Sequence, residues 1–197
     1  MASSGISSAP ASSVADRYDV FLSFQGEDAQ NQFISHLYMA LAEKGIKTFK
    51  DDKMLDKGAA ISPALFEAIG KSRFCIVVIS KGYASSPWCL DELKKITDTK
   101  TGTVFPVFYN IDPYEVRKQT GSFGKAFSEL EKNFYGDMEK VQGWRSALTN
   151  VGNMSGWVAA NYRDEALLVD DIVLHILKKL NGIEGGLDSC AKEVDNQ

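Results

Sequence analysis

Phe74-Cys-Ile-Val-Val-Ile-Ser80 is the stretch that decides the fold, because its first six residues are apolar without interruption. A strand with one wet face alternates apolar and polar residues. An unbroken run is what a strand needs when helices cover both faces of its sheet. Working outward, Tyr18–Phe24 (YDVFLSF), Ile46–Phe49 and Val104–Tyr109 (VFPVFY) are further short runs rich in β-formers. Pro106 removes a ladder donor, so a distortion is predicted in the fourth strand. A fifth strand near Gly156–Val158 is weakly signalled.

Helical signals alternate with these runs. Asp28 is placed to cap a helix in which Phe33, Leu37 and Leu41 recur at four-residue steps, and Gly45 stops it. Ser62-Pro63 and Ser86-Pro87 each read as a cap followed by a first-turn proline. Leu65 and Ile69 face inward from the first of these helices, Leu90, Leu93 and Thr97 from the second. Further helices are predicted over Ser122–Asn133, Met138–Asn150 and Asp164–Leu180, the last with a stripe of Leu167, Leu168, Ile172, Ile176 and Leu180. Such alternation predicts one α/β domain with a parallel sheet and right-handed crossovers. Ligands then bind outside the carboxyl ends of the strands. Three segments converge there: the Gln25–Gln30 loop, the Asp51–Ala60 loop and the Lys81–Glu92 stretch.

The bulk properties agree. The chain has 197 residues, 44% hydrophobic and 24% charged, which suits one well-packed domain. Its net charge of −4 argues against a nucleic-acid partner, which favours a basic chain. No apolar run approaches membrane-spanning length. Residues 1–16 are Ser/Ala-rich, lack the n- and h-regions of a secretory signal and read as a flexible tail. From about Asn181, Gly182, Gly185 and Gly186 precede a polar stretch, so 182–197 read as a second tail around a domain over 17–181. Cys75, Cys89 and Cys190 form neither a disulfide framework nor a metal motif and suit a reducing, intracellular setting; a cytoplasmic location is expected, with the nucleus in addition.

Glu92 is the first candidate for chemistry. In the second turn of the helix begun at Ser86-Pro87, it shares a face with Trp88 and Cys89. Position alone leaves two readings. It is a solvated helix residue, or a carboxylate partly desolvated beside an indole. Gln25-Gly26-Glu27-Asp28 lies between a strand and a helix, where a tight turn and free N–H groups suit an anion. Ordinary capping by Asp28 explains it as well. No G-x-G-x-x-G or phosphate-loop motif occurs. Asp51, Asp52 and Asp56 are interleaved with Lys53 and Lys57 and lack a calcium-loop spacing, so no metal site is expected. His36 and His175 lie far apart on helices and form no triad.

Taken together, the motifs are specific. Tyr18–Asp28 (YDVFLSFQGED), Gly45–Asp52 (GIKTFKDD), Ser85–Leu93 (SSPWCLDEL) and Asp112–Gly124 (DPYEVRKQTGSFG) resemble a plant TIR domain, the signalling module of plant immune receptors. Val141–Leu148 and Met154–Trp157 extend the resemblance, which covers about Tyr18 to Leu180. It implies a flavodoxin-like three-layer sandwich with strand order 2-1-3-4-5. It also implies NAD⁺ cleavage, on self-association, to nicotinamide and ADP-ribose or its cyclic variants, with NAD⁺ as substrate and no cofactor. By the resemblance, Glu92 is the catalytic carboxylate, and Gln25, Gly26, Glu27, Asp28, Ala29, Gln30 and Gly58 contact NAD⁺, with Trp88 as a candidate wall. Ser35 and His36 match one self-association surface, and Gly156 lies in a region similar to a second.

The chain departs from the pattern in the first loop, which in the family usually reads R-G-E-D-T-R. Here Gln25 and Gln30 replace both arginines. Arginine grips phosphate bidentately and glutamine does not. Lys53 and Lys57 are candidate replacements. A second reading follows, a non-catalytic module that joins other TIR domains. A third, a phosphoacceptor receiver, wants clustered acids at strand ends, whereas Asp19 sits at a strand start. No nucleotide-binding or leucine-rich-repeat segment follows the match, which fits a TIR-only protein or an excised fragment.

Overall fold

The structure, a computed structural model, describes residues 18–26, 31–50 and 63–188, the side chains of 31 and 183–188 excepted. In chain order come β1 (Tyr18–Ser23), α1 (Asn31–Glu43), β2 (Thr48–Lys50), α2 (Pro63–Lys71) and β3 (Ser72–Ile79). A 3-10 turn (Tyr83–Ser85) leads to α3 (Pro87–Thr99), β4 (Val104–Phe108), α4 (Pro113–Lys118), α5 (Gly121–Asn133) and α6 (Met138–Gly152). Then follow β5 (Trp157–Val158), a second 3-10 turn (Ala159–Asn161) and α7 (Glu165–Asp188). The strands form one parallel sheet in the order β2-β1-β3-β4-β5, as expected. Phe21 lies opposite both Phe49 and Cys75, Val77 opposite Pro106, and Val107 opposite Trp157.

Side chains alternate across a strand, so each one feeds both faces of the sheet. Phe21, Cys75, Val77, Ile79 and Phe108 enter one core, with α2, α3, α5 and α6. Val20, Leu22, Phe74, Ile76, Val78 and Val107 enter the other, with α1 and α7. The unbroken run on β3 is therefore explained: both of its faces are dry. Each fully buried side chain of this size contributes roughly 1.5–3 kcal/mol. Phe33, Leu37 and Leu41 of α1 are all fully buried, the stripe their spacing predicts.

The structure corrects several expectations. α4 was not foreseen, because six residues carry too little periodicity to read. Its signals are Asp112, whose side chain accepts from the Tyr114 N–H at 2.7 Å, and Pro113 in the first turn. Pro106 does not break β4. Leu167 does not join the buried stripe of α7 and is half exposed, while Leu168, Ile172, Ile176 and Leu180 are buried. α7 also continues to Asp188, through the glycines that suggested a tail from 182. Two glycines show why. Gly45 has φ +74° and ends α1 in a left-handed conformation. Gly182 has no positive φ, and a glycine kept in helical conformation costs only about 1 kcal/mol.

Candidate functional site

β1 and β3 are neighbours in the sheet although β2 lies between them in sequence. The chain leaves β1 toward one edge and β3 toward the other, so a crevice opens at their carboxyl ends. β1 ends at Ser23 and is followed by Phe24, Gln25 and Gly26, all half-buried. β3 runs into Ser80 and then the turn Lys81–Ser86.

Hydrogen bonds lock these segments together. Tyr83 is fully buried, and a buried phenol needs partners. Its hydroxyl donates to the Cys89 carbonyl at 3.2 Å. It therefore accepts from Ser23 Oγ, 2.9 Å away on the end of β1. Cys89 Sγ donates to the Phe24 carbonyl at 3.7 Å. Ser86 Oγ accepts from the Cys89 N–H at 3.3 Å, and Pro87 fills the first helical position, as the sequence predicts. The start of α3 is thus fastened to the end of β1.

This fastening places Glu92 inside the protein. It is only 4% exposed and lies on the same face of α3 as Cys89, Leu93 and Ile96. The solvated reading of Glu92 is overturned. A carboxylate held away from water is expensive to ionise unless partners offset the lost hydration. Its charge acts on its neighbours. The Tyr83 hydroxyl is held well above its ordinary pKa, first by burial, then by the nearby Cys89 and Glu92, with the Ser23 hydrogen bond opposing. The Cys75 thiol is pushed up to about 12, chiefly by burial, with Lys100 opposing and Glu92 adding. Cys75 is not a nucleophile at neutral pH on this footing, since the thiolate is the reactive form.

Trp88 is partly buried and packs against the core that holds Glu92's neighbours. Gln25 and Gly26 stand at the end of β1, as expected. Glu27, Asp28, Ala29, Gln30, Gly58 and the Asp51–Ala60 loop with Lys53 and Lys57 lie outside the described residues. Ser35 and His36 are exposed on α1. Gly156 has a packing role that the sequence did not reveal. A Cβ there would collide with the Pro106 carbonyl oxygen and come within 2.7 Å of Pro106 Cγ. Among the described residues no group of His, Cys, Asp and Glu could hold a metal ion. No helix among them is long and apolar enough to cross a membrane. Ser23 and Tyr83 are the site residues that sequence reading missed. Their only signal is polarity at the ends of apolar strands.

A 2-1-3-4-5 parallel sheet with helices on both faces defines a flavodoxin-like α/β domain. The family model for the TIR domain matches residues 17–193, and the chain belongs to that family. It is 46% identical over 201 residues to the disease resistance protein RPV1 of Vitis rotundifolia, covering 97% of this chain and 14% of that protein. It is 49% identical over 166 residues to the TMV resistance protein N of Nicotiana glutinosa, covering 83% of this chain and 14% of that protein. The chain thus spans about a seventh of these relatives. Among solved structures it matches the TIR domains of the activated Roq1 resistosome directly recognizing the pathogen effector XopQ. The TM-score is 0.75 at 50% identity, over 81% of this chain and 99% of that one.

Proposed function

We propose that this TIR domain cleaves NAD⁺ to nicotinamide and ADP-ribose or a cyclic variant when it self-associates, as a signal in plant immunity. The observation that carries the reading is Glu92, a carboxylate buried beside the switch-point crevice, where dinucleotides bind in folds of this kind. The similarity to plant disease resistance proteins supports the immune role, and the similarity to resistosome TIR domains supports assembly.

One carboxylate suffices for this chemistry. The nicotinamide nitrogen of NAD⁺ is already cationic, so breaking its bond to the ribose releases neutral nicotinamide without a general acid. The bonding electrons leave with nicotinamide, and the ribose C1′ becomes oxocarbenium-like. Glu92 stabilises that developing charge in a site where water screens poorly. A water oxygen then bonds to C1′ and loses a proton to solvent, giving ADP-ribose. A nucleophile within the ADP-ribose itself gives the cyclic product instead. Gln25 and Gly26 at the end of β1, with the loop through Gln30, Gly58 and Trp88, form the rest of the proposed NAD⁺ site. Ser35 and His36 on the exposed side of α1 form one association surface, and the region of Gly156 a second.

The glutamines at positions 25 and 30 favour a second reading, a TIR module that assembles without turnover. Concentrated protein is incubated with NAD⁺ and its products are identified by mass. Nicotinamide release by the native chain and none by Glu92→Ala supports the enzyme. Turnover undiminished in Glu92→Ala removes Glu92 from the mechanism. Concentration-dependent assembly without NAD⁺ consumption establishes the second reading.

A further inference from the structure

The diphosphate of a dinucleotide needs a counter-charge, and among the described residues the crevice supplies little of it. Glu92 lies beside it, and the loop leaving β1 carries Glu27 and Asp28 with no arginine or lysine. The segments leaving β1, β3, β4 and β5 at their carboxyl ends contain two cations among the described residues, Lys81 and Arg163. Arg163 follows β5 at the far edge of the sheet, two strands away from β3. Lys81 follows β3 directly.

The register puts Lys81 at the rim. Ser23, the last residue of β1, pairs with Val77 of β3, and β3 runs two residues further, to Ile79, before it too leaves the sheet, two residues short of Lys81. Lys81 and Gly82 are the middle of a turn closed by the Tyr83 N–H donating to the Ser80 carbonyl at 3.1 Å. The Tyr83 hydroxyl, bonded to Ser23, ties that turn back to β1. Lys81 is exposed, and among the described residues it makes no ion pair or hydrogen bond. It is a cation on a pre-organised turn with no counter-charge among the described residues, so less backbone ordering is needed when an anion arrives.

Resting on the reading of this crevice as an NAD⁺ site, we infer that Lys81 is the binding residue for the NAD⁺ diphosphate, taking the charge role that Gln25 and Gln30 cannot fill. Lysine serves as a point charge where arginine would give a fork, so the interaction is salt-sensitive. The residue sets substrate affinity and not the bond-breaking step.

The test uses the full chain and compares Lys81→Glu, Lys81→Arg and the double variant Lys53→Glu/Lys57→Glu with the native protein. Two quantities are read: KM and kcat for nicotinamide release from NAD⁺, and Kd for ADP-ribose, which keeps the diphosphate and has no nicotinamide to lose. Lys81→Glu is expected to raise KM and Kd by about tenfold or more, the equivalent of 1.4 kcal/mol, with kcat little changed. Lys81→Arg restores both. Rising salt weakens ADP-ribose binding by the native chain and leaves Lys81→Glu nearly unaffected. The inference is overturned if Lys81→Glu binds ADP-ribose as the native chain does, if only the Lys53/Lys57 variant loses affinity, or if the native chain does not bind ADP-ribose. A native chain that binds ADP-ribose through Lys81 yet releases no nicotinamide upholds the inference and sinks the hydrolase reading.

Discussion

Two carboxylates in this domain each help to hold a tyrosine hydroxyl protonated, and the protein treats them in opposite ways. Asp171 on α7 is exposed and accepts from Trp157 Nε1 at 3.0 Å and from the Tyr162 hydroxyl at 2.5 Å. The Tyr162 hydrogen bond is the main reason its pKa is lowered. It clasps β5 and the following turn to α7 at little desolvation cost. Glu92 on α3 is 4% exposed, and its charge presses on the buried Tyr83 and Cys75. A carboxylate that only fastens structure is best left near water. One taken inside carries a larger desolvation cost, and Glu92 is the one that lies beside the crevice proposed for NAD⁺.

That contrast can be broken. Glu92→Gln is expected to lower nicotinamide release by on the order of 10²–10³-fold, the scale of losing one electrostatic stabiliser, with the domain still folded by its melting temperature. A collapse of the melting temperature would make Glu92 a structural residue like Asp171 and dissolve the comparison. On the edge side, Gly156→Ala drives a methyl into Pro106 and is expected to cost about 1–3 kcal/mol in a denaturant titration. On the crevice side, Tyr83→Phe removes the hydroxyl that joins Ser23 to Cys89 and is expected to cost a similar ~1–3 kcal/mol, because both partners stay buried. Asp171→Asn keeps the shape but weakens an exposed clasp, so its cost by the same titration is expected to be under about 1 kcal/mol.

The smallest effect is a pH dependence beside Asp171. His175 packs edge-on against Phe105 and Trp157, with ring centroids 5.1 and 5.3 Å away. Burial is the first cause of its lowered pKa, and Lys179 and Lys178 add to it while Asp171 opposes. In the unfolded chain this group takes a proton near pH 6.5, before it does so in the folded one. Stability is therefore lost as pH falls through 6.5 toward the lower folded value, and regained on raising the pH. His175→Phe should flatten the melting temperature between about pH 7 and pH 5, and an unchanged slope would assign the acid sensitivity elsewhere.

The fold was legible because burial on both faces of β3 writes itself into composition. Phe74–Ile79 admits hardly any other arrangement, and the helices between strands carried stripes long enough to read. What stayed hidden was short or three-dimensional. α4 is too brief to show a period. Gly156 matters because of Pro106, fifty residues earlier. Glu92 has the sequence position of a surface glutamate, and its burial goes with the packing of α3 on the core and the Ser23–Tyr83–Cys89 hydrogen bonds that tie the start of α3 to β1. The W-C-L-D-E-L context pointed to it through resemblance, which is a different source of knowledge from periodicity. Gln25 and Gly26 fall where the loop reading put them.

The sheet's outer strands have a consequence for how copies of this domain meet. β2 has three residues and β5 two, so the row of unpaired backbone groups at either margin is very short. A short margin offers little to a strand from another molecule. Among the described residues, then, assembly by extending the sheet from one copy to the next is disfavoured. In the proposed self-association, contacts then fall to helix surfaces such as the one bearing Ser35 and His36, where recognition is written in side chains. A surface of that kind is retuned by single substitutions, which suits the assembly on demand proposed for this module.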